Sequence, residues 1–186
     1  MRHWLKMAGL IDALNDRVGQ IMYWFALAMI LIGAYNATVR YLGDFFSRNL
    51  SSNAYIEVQW YLFGAMFMLG AAYTLRHNAH VRVDILYSRL SAKGQAWIEL
   101  LGTLLFLLPF SSMVLYLSLP WVEFSWQLHE VSPNPGGLPR YPIKTIVPIA
   151  FALLILQGFS QAIKALAVIR GHRQNVFDPE QKEEIL

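Results

Sequence analysis

Residues 57–84 read EVQWYLFGAMFMLGAAYTLRHNAHVRVD. A carboxylate, Glu57, opens the stretch; eighteen residues, 58–75, follow without a formal charge; Arg76, His77, His80, Arg82 and Asp84 close it. As a helix, such a run is long enough to cross the hydrocarbon core of a bilayer. A charge at its centre would cost roughly 2.5–3.5 kcal/mol on insertion scales. The charges therefore stand where water begins.

The whole chain has that character. It is 56% hydrophobic and only 15% charged, well short of the quarter that is usual for soluble domains. The net charge is +3, but the basic residues lie in separate loops between apolar runs and form no continuous stripe, which argues for lipid headgroups and against nucleic acid. With no cysteine, disulfides, thiolate metal sites and cysteine nucleophiles are excluded together. The first apolar run is preceded by acidic as well as basic residues and has no small-residue cleavage pattern, so it is expected to remain in the membrane.

Outward from 57–84, three more spans emerge. Residues 18–39 carry no formal charge between Arg17 and Arg40 and would measure about 33 Å as a helix. Span two is 58–75, span three 100–122 and span four 145–163. In span two, Gly64, Ala65, Gly70, Ala71 and Ala72 are small enough to let another helix approach. Pro109 and Pro120 predict a bend in span three, and Pro148 is read as lying in the first turn of span four. Ser91 is a candidate cap for the helix that leads into span three. SPNPGGLPRYP, residues 132–142, excludes regular helix. Before span one, Trp4, Met7, Ala8, Ile11, Leu14 and Val18 recur at helical steps, which predicts either an amphipathic helix in the headgroup plane or an extension of span one. Val83, Leu86, Tyr87 and Leu90 predict a second surface helix. The expected fold is all-α: a polytopic membrane protein with four transmembrane helices, an N-terminal and a cytoplasmic-loop interfacial helix, one domain over 1–170 and a polar tail over 171–186.

Lysine and arginine number eleven in the N-terminal segment, the middle connection and the tail, against four in the other two connections. The positive-inside rule then places both termini in the cytoplasm of a bacterial inner membrane. No Asp, Glu, Lys, Arg or His falls inside the four spans, which weakens an autonomous ion-coupled carrier. Asn36, Gln59, Thr74, Thr103, Ser111, Ser112, Gln157 and Ser160 read as interhelical hydrogen-bonding groups. His77 and His80 are spaced to share a metal but lack further ligands at a recognisable distance, and the G-x-S at Gly158 has no histidine base in any span. No catalytic, cofactor or metal residue is assigned.

Arg40–Tyr41, Glu57, GAAYTLRHNAHVRVD at 70–84, Ser132–Pro133 and the P-I-A-F segment at Pro148 together resemble the small permease, or Q, subunit of tripartite ATP-independent periplasmic (TRAP) transporters. The resemblance implies a non-catalytic scaffold. It would pack against a large multi-span, elevator-type permease subunit in sodium-coupled uptake of organic acids and help dock a periplasmic substrate-binding protein. It further implies structural or subunit-interface roles for Arg40, Glu57, Trp60, Gly70, Arg76, His80 and Asp84, with Arg40 paired to Glu57. The loop residues Pro133, Pro135 and Arg140 are candidates for docking the binding protein. The rival reading is a self-contained small transporter or channel built by homo-oligomerisation.

Overall fold

A computed structural model describes residues 1–45, 52–79, 87 and 90–171. Four helices in it are long and apolar enough to cross a membrane: α1, Arg2–Phe45; α2, Asn53–Arg76; α3, Ala92–Gln127; and α4, Tyr141–Ile169. Among the described residues the only β-type pairing is a single bridge between Val131 and Pro139. The fold is an all-α polytopic membrane bundle.

At 44 residues, α1 would measure about 66 Å, twice the hydrocarbon thickness. Residues 1–17 are thus not a separate helix in the headgroup plane; they extend span one. Their amphipathicity is turned the other way from the expectation. Asn15 is 0% exposed while Leu10 is 73% exposed, because the polar face of this segment meets α4 and α2, leaving Trp4, Met7 and Leu10 outside.

Ser52 caps α2, its hydroxyl accepting from the Ala54 amide at 3.2 Å. The helix ends where Asn78 takes a positive φ of 52° and the Ala79 amide reaches back to the Thr74 carbonyl at 3.1 Å, a closure that asparagine tolerates better than most residues. Ser91 does cap α3, accepting from the Gly94 amide at 3.3 Å. That helix meets Pro109 with a π-turn at Thr103–Leu107, the Leu108 amide bonding the Thr103 carbonyl. A wide turn just before a residue that lacks an amide lets the ladder skip the missing donor. Helix α4 starts at Tyr141 with Pro142 in its first turn, so Pro148 lies in the helix interior, where it is buried. The first-turn reading of Pro148 fails because Tyr141 to Lys144 are already helical.

Helix α4 is the axis of the bundle. It packs against α1, α2 and α3, α1 also packs on α2, and α3 rests chiefly on α4. In its apolar window 39% of residues are buried, against 11% in each of α1 and α2. The interior is made of small residues, among them Ala8, Ala65, Ala72, Ala150 and Ala165, and the largest fully buried side chains are Gln157 and Asn15. Large apolar side chains point outward. This distribution suits helices that associate in lipid, where apolar burial drives little and close backbone approach and hydrogen bonds do more. A Cβ on Gly19 would meet the Tyr73 ring at 2.2 Å, and one on Gly158 would meet Leu108 at 2.9 Å, so these two glycines set the spacing of α1 on α2 and of α4 on α3.

Candidate functional site

Two polar clusters, one at each end of the α2 span, organise the molecule. The first is built on Arg76. Asp12, Asn15 and Asp16 share one face of α1, and Gln157, Ser160, Gln161 and Lys164 share one face of α4, each set at helical steps. The Lys164 ammonium lies 2.5 Å from Asp12 Oδ2, with the two side chains 10% and 14% exposed. Asp12 Oδ1 accepts from Ser160 Oγ at 2.8 Å and from Gln157 Nε2 at 3.2 Å. Asn15 Nδ2 then donates to Gln157 Oε1 at 2.7 Å. From the end of α2, Arg76 pairs with Asp16, donates to the Asp12 carbonyl at 2.7 Å and has Nε 4.0 Å from Asp12 Oδ2. His77 Nε2 lies 3.1 Å from Asp16 Oδ1. Two carboxylates face two fixed cations, so the cluster is neutral and ties three helices together.

The second cluster surrounds Glu57, which is 5% exposed. Its carboxylate accepts from Ser132 Oγ, from Asn134 Nδ2 at 2.8 Å and from the Leu138 amide at 2.6 Å. Asn53, at the start of the same helix, donates to the Pro135 carbonyl at 3.0 Å. One carboxylate on α2 thus replaces the secondary structure that residues 131–139 lack. Glycine is required here, since Gly136 has φ +69° and a Cβ on Gly137 would lie 2.5 Å from Ser132 Cβ. Behind the loop Glu130 pairs with Lys144 and accepts from Ser125 Oγ at 2.7 Å. The Lys144 ammonium, aided by the Ser125 hydroxyl, holds the Glu130 carboxyl below the usual carboxylate range.

The residues singled out from sequence fall in different places. Arg76 and Glu57 are the centres of the two clusters, but Arg40 is not brought to Glu57, whose oxygens are taken by the loop; Arg40 instead lines an open groove between α1 and α2. Trp60 is 69% exposed. A Cβ on Gly70 would meet nothing within 4 Å, so the small-residue face splits: Ala65 and Ala72 pack inward and Gly70 opens outward. Pro133 and Pro135 are exposed and Arg140 half-buried. His80 and Asp84 lie outside the described residues, as do most of the predicted second surface helix and the tail beyond residue 171. Gln157 and Ser160 do bond between helices, whereas Thr74 returns its hydroxyl to the Gly70 carbonyl of its own helix. Asp12, Asp16 and Lys164 are not among the residues singled out from sequence, in which Asp12 and Asp16 fall on the polar side of the expected N-terminal amphipathic helix. Their signal was present in the matched polar faces of α1 and α4. Among the described residues, no three His, Asp or Glu side chains gather as a metal site would need.

A sequence family described as "Tripartite ATP-independent periplasmic transporters, DctQ component" matches residues 29–168. The chain belongs to the DctQ family. As such it is one component of a tripartite membrane transporter and works with partner subunits. No curated protein and no solved structure matches. The family match takes in Glu57 with its loop, Arg76 and Lys164, and leaves Asp12 and Asp16 outside.

Proposed function

We propose that this chain is the non-catalytic scaffold subunit of a sodium-coupled uptake system for organic acids, packing against a large elevator-type permease subunit and helping dock a periplasmic substrate-binding protein. The observation that carries the reading is the disposition of charge. Asp12, Asp16, Arg76 and Lys164 are engaged with one another inside a neutral cluster, an arrangement that fixes helices and is ill suited to moving an ion. The outward faces of α1 and α2 carry large apolar side chains, Trp24, Ile30, Leu31, Trp60, Phe63 and Phe67 among them, a surface fit for lipid and for a second membrane subunit. In this reading both termini are cytoplasmic in a bacterial inner membrane. Residues 1–170 form one domain with 171–186 as its tail, Gly70 and Trp60 face the large subunit, and His80 and Asp84 support the cytoplasmic turn beside it. The loop held by Glu57 faces the periplasm, with Pro133, Pro135 and Arg140 toward the binding protein.

Co-expression tests this. The large subunit is expected to co-purify with the chain, and vesicle uptake of an organic acid down a sodium gradient is expected to need both subunits and the binding protein. Uptake by this chain alone would overturn the proposal and favour a homo-oligomeric carrier.

A further inference from the structure

The groove that holds Arg40 has a chemistry the scaffold role does not use. It encloses about 580 Å³ between α1 and α2, bordered by Gly33, Asn36, Arg40, Tyr41, Ile56 and Gln59, a size in the range of small-ligand sites. Its depth in the membrane follows from the helix register. The Asp16–Arg76 pair marks water at one end of the bundle. Arg40 lies twenty-four residues along α1 from Asp16, about 36 Å on a continuous helix, just beyond a hydrocarbon core of about 30 Å. Gln59, opposite Gly33, lies seventeen residues back from Arg76, about 26 Å, inside the acyl region. The groove therefore runs from acyl depth to headgroup depth.

Its lining changes character along that path. Gly33 lies beside Gln59 in the deep part, where a Cβ on Gly33 would lie 2.8 Å from Gln59 Oε1, so the groove narrows there without closing; Ile56, twenty residues back from Arg76 or about 30 Å, adds an apolar side chain at the edge of the hydrocarbon core. At headgroup depth are the Arg40 guanidinium, the Tyr41 hydroxyl and the Asn36 amide. Among the described residues no carboxylate pairs with Arg40. Gln59 Nε2 spends one hydrogen on the Tyr55 carbonyl at 3.0 Å and has a second to give. Among the described residues the groove brings the Arg40 guanidinium together with the Tyr41 hydroxyl and the Gln59 amide and no carboxylate, which suits the oxygens of a phosphate ester, and guanidinium is the side chain best shaped for such an anion. We infer that the groove binds one phospholipid, its phosphodiester on Arg40 and an acyl chain running past Ile56 toward Gly33. The shared chemistry is a phosphate oxyanion; the depth of the groove in the membrane favours the lipid source over a soluble one.

The test is native mass spectrometry of the full chain released from nanodiscs of phosphatidylethanolamine and phosphatidylglycerol. The wild type is expected to retain one phospholipid. R40Q is expected to lower that adduct at least about tenfold, the scale of a lost charged hydrogen bond, and R40K to retain part of it. Controls R2Q and K6Q, at the other end of α1, are expected to leave it unchanged. Asn36→Leu, which puts a larger apolar side chain into the groove lining beside Arg40, is expected to lose the adduct as well. An adduct undiminished in folded R40Q and Asn36→Leu, or no adduct on the wild type, overturns the site. Displacement of the lipid by millimolar inorganic phosphate overturns the lipid assignment in favour of a soluble anion. Loss of the adduct on adding the large subunit assigns the groove to that protein and overturns it too.

Discussion

Replacing Asp12 by asparagine keeps the shape of the side chain and an oxygen for Ser160 and Gln157, and removes the charge. The loss then falls on Lys164, which is 10% exposed and 2.5 Å from the carboxylate it would lose. Removing one member of a buried ion pair costs about 3–5 kcal/mol because the other charge stays desolvated; at the end of a span, with water near, about 3 kcal/mol is expected. Lys164→Met should cost less, about 1 kcal/mol, because hydrogen bonds to an ionised acceptor are among the stronger ones and Asp12 keeps two of them, from Ser160 and Gln157. Asp12→Asn with Lys164→Met should resemble the lysine variant, leaving a coupling of about 2–3 kcal/mol. Reversible unfolding in mixed micelles titrated with dodecyl sulfate, followed by tryptophan fluorescence, gives all four stabilities. Asp12→Asn within about 0.5 kcal/mol of wild type, the level expected of a surface change, or a double variant as unstable as the two singles combined, would refute the claim that this pair holds α1 on α4.

Three further tests use other contacts. Gly19→Leu should destabilise the isolated chain by about 1–3 kcal/mol through overpacking against the Tyr73 ring, with Tyr73→Ala restoring part of the loss, whereas Gly70→Leu should leave it unchanged because nothing lies within 4 Å. In the complex the order should reverse, Gly70→Leu lowering recovery of the large subunit; full recovery would count against that face as an interface. Glu57→Gln, which turns an acceptor of three hydrogen bonds into a poorer one, should speed hydrogen exchange at the Leu138 amide and expose residues 131–139 to protease, and unchanged protection would argue that the loop is held by other means. Because the Glu130 carboxyl is held below the usual range by Lys144, its contribution is present above that range and lost as pH falls through the lowered value. The fluorescence of Trp121, whose ring lies 4.5 Å from the Lys144 ammonium, should therefore stay constant through mildly acid pH and change only in stronger acid. Ser125→Ala, which removes the hydroxyl that helps hold the carboxyl down and leaves the ammonium beside Trp121, should move that change to higher pH, and a transition at the same pH in both proteins would refute the assignment.

Local chemistry made much of this legible in advance. Ser91 was readable as a cap because capping is settled within one turn, and Pro109 as a disturbance because a missing amide is a property of the residue. Pro148 was misplaced because the helix begins four residues earlier than hydropathy suggested, through Tyr141 and Lys144, which are polar enough to resemble loop. The two clusters were only half visible. Glu57 and Arg76 stood out as charges bounding an apolar run, but their partners lie far along the chain, and nothing in the spacing of Arg40 and Glu57 told that Glu57 would turn to Ser132, Asn134 and Leu138.

What the sequence by itself determined is the set of apolar runs, the depth at which each charge must stop, and through GAAYTLRHNAHVRVD the family. These follow from transfer energies, which belong to single residues and sum along a segment. Only the tertiary structure decided which face of each helix turns inward. Residues 1–17 show the difference plainly: their pattern specified an amphipathic helix, and an amphipathic helix can set its polar face against water or against another polar face. Asp12 and Asn15 point into the protein because Lys164, Gln157 and Ser160 wait there at matching steps on α4, and a hydrogen-bonded ion pair exists only once both helices are in place.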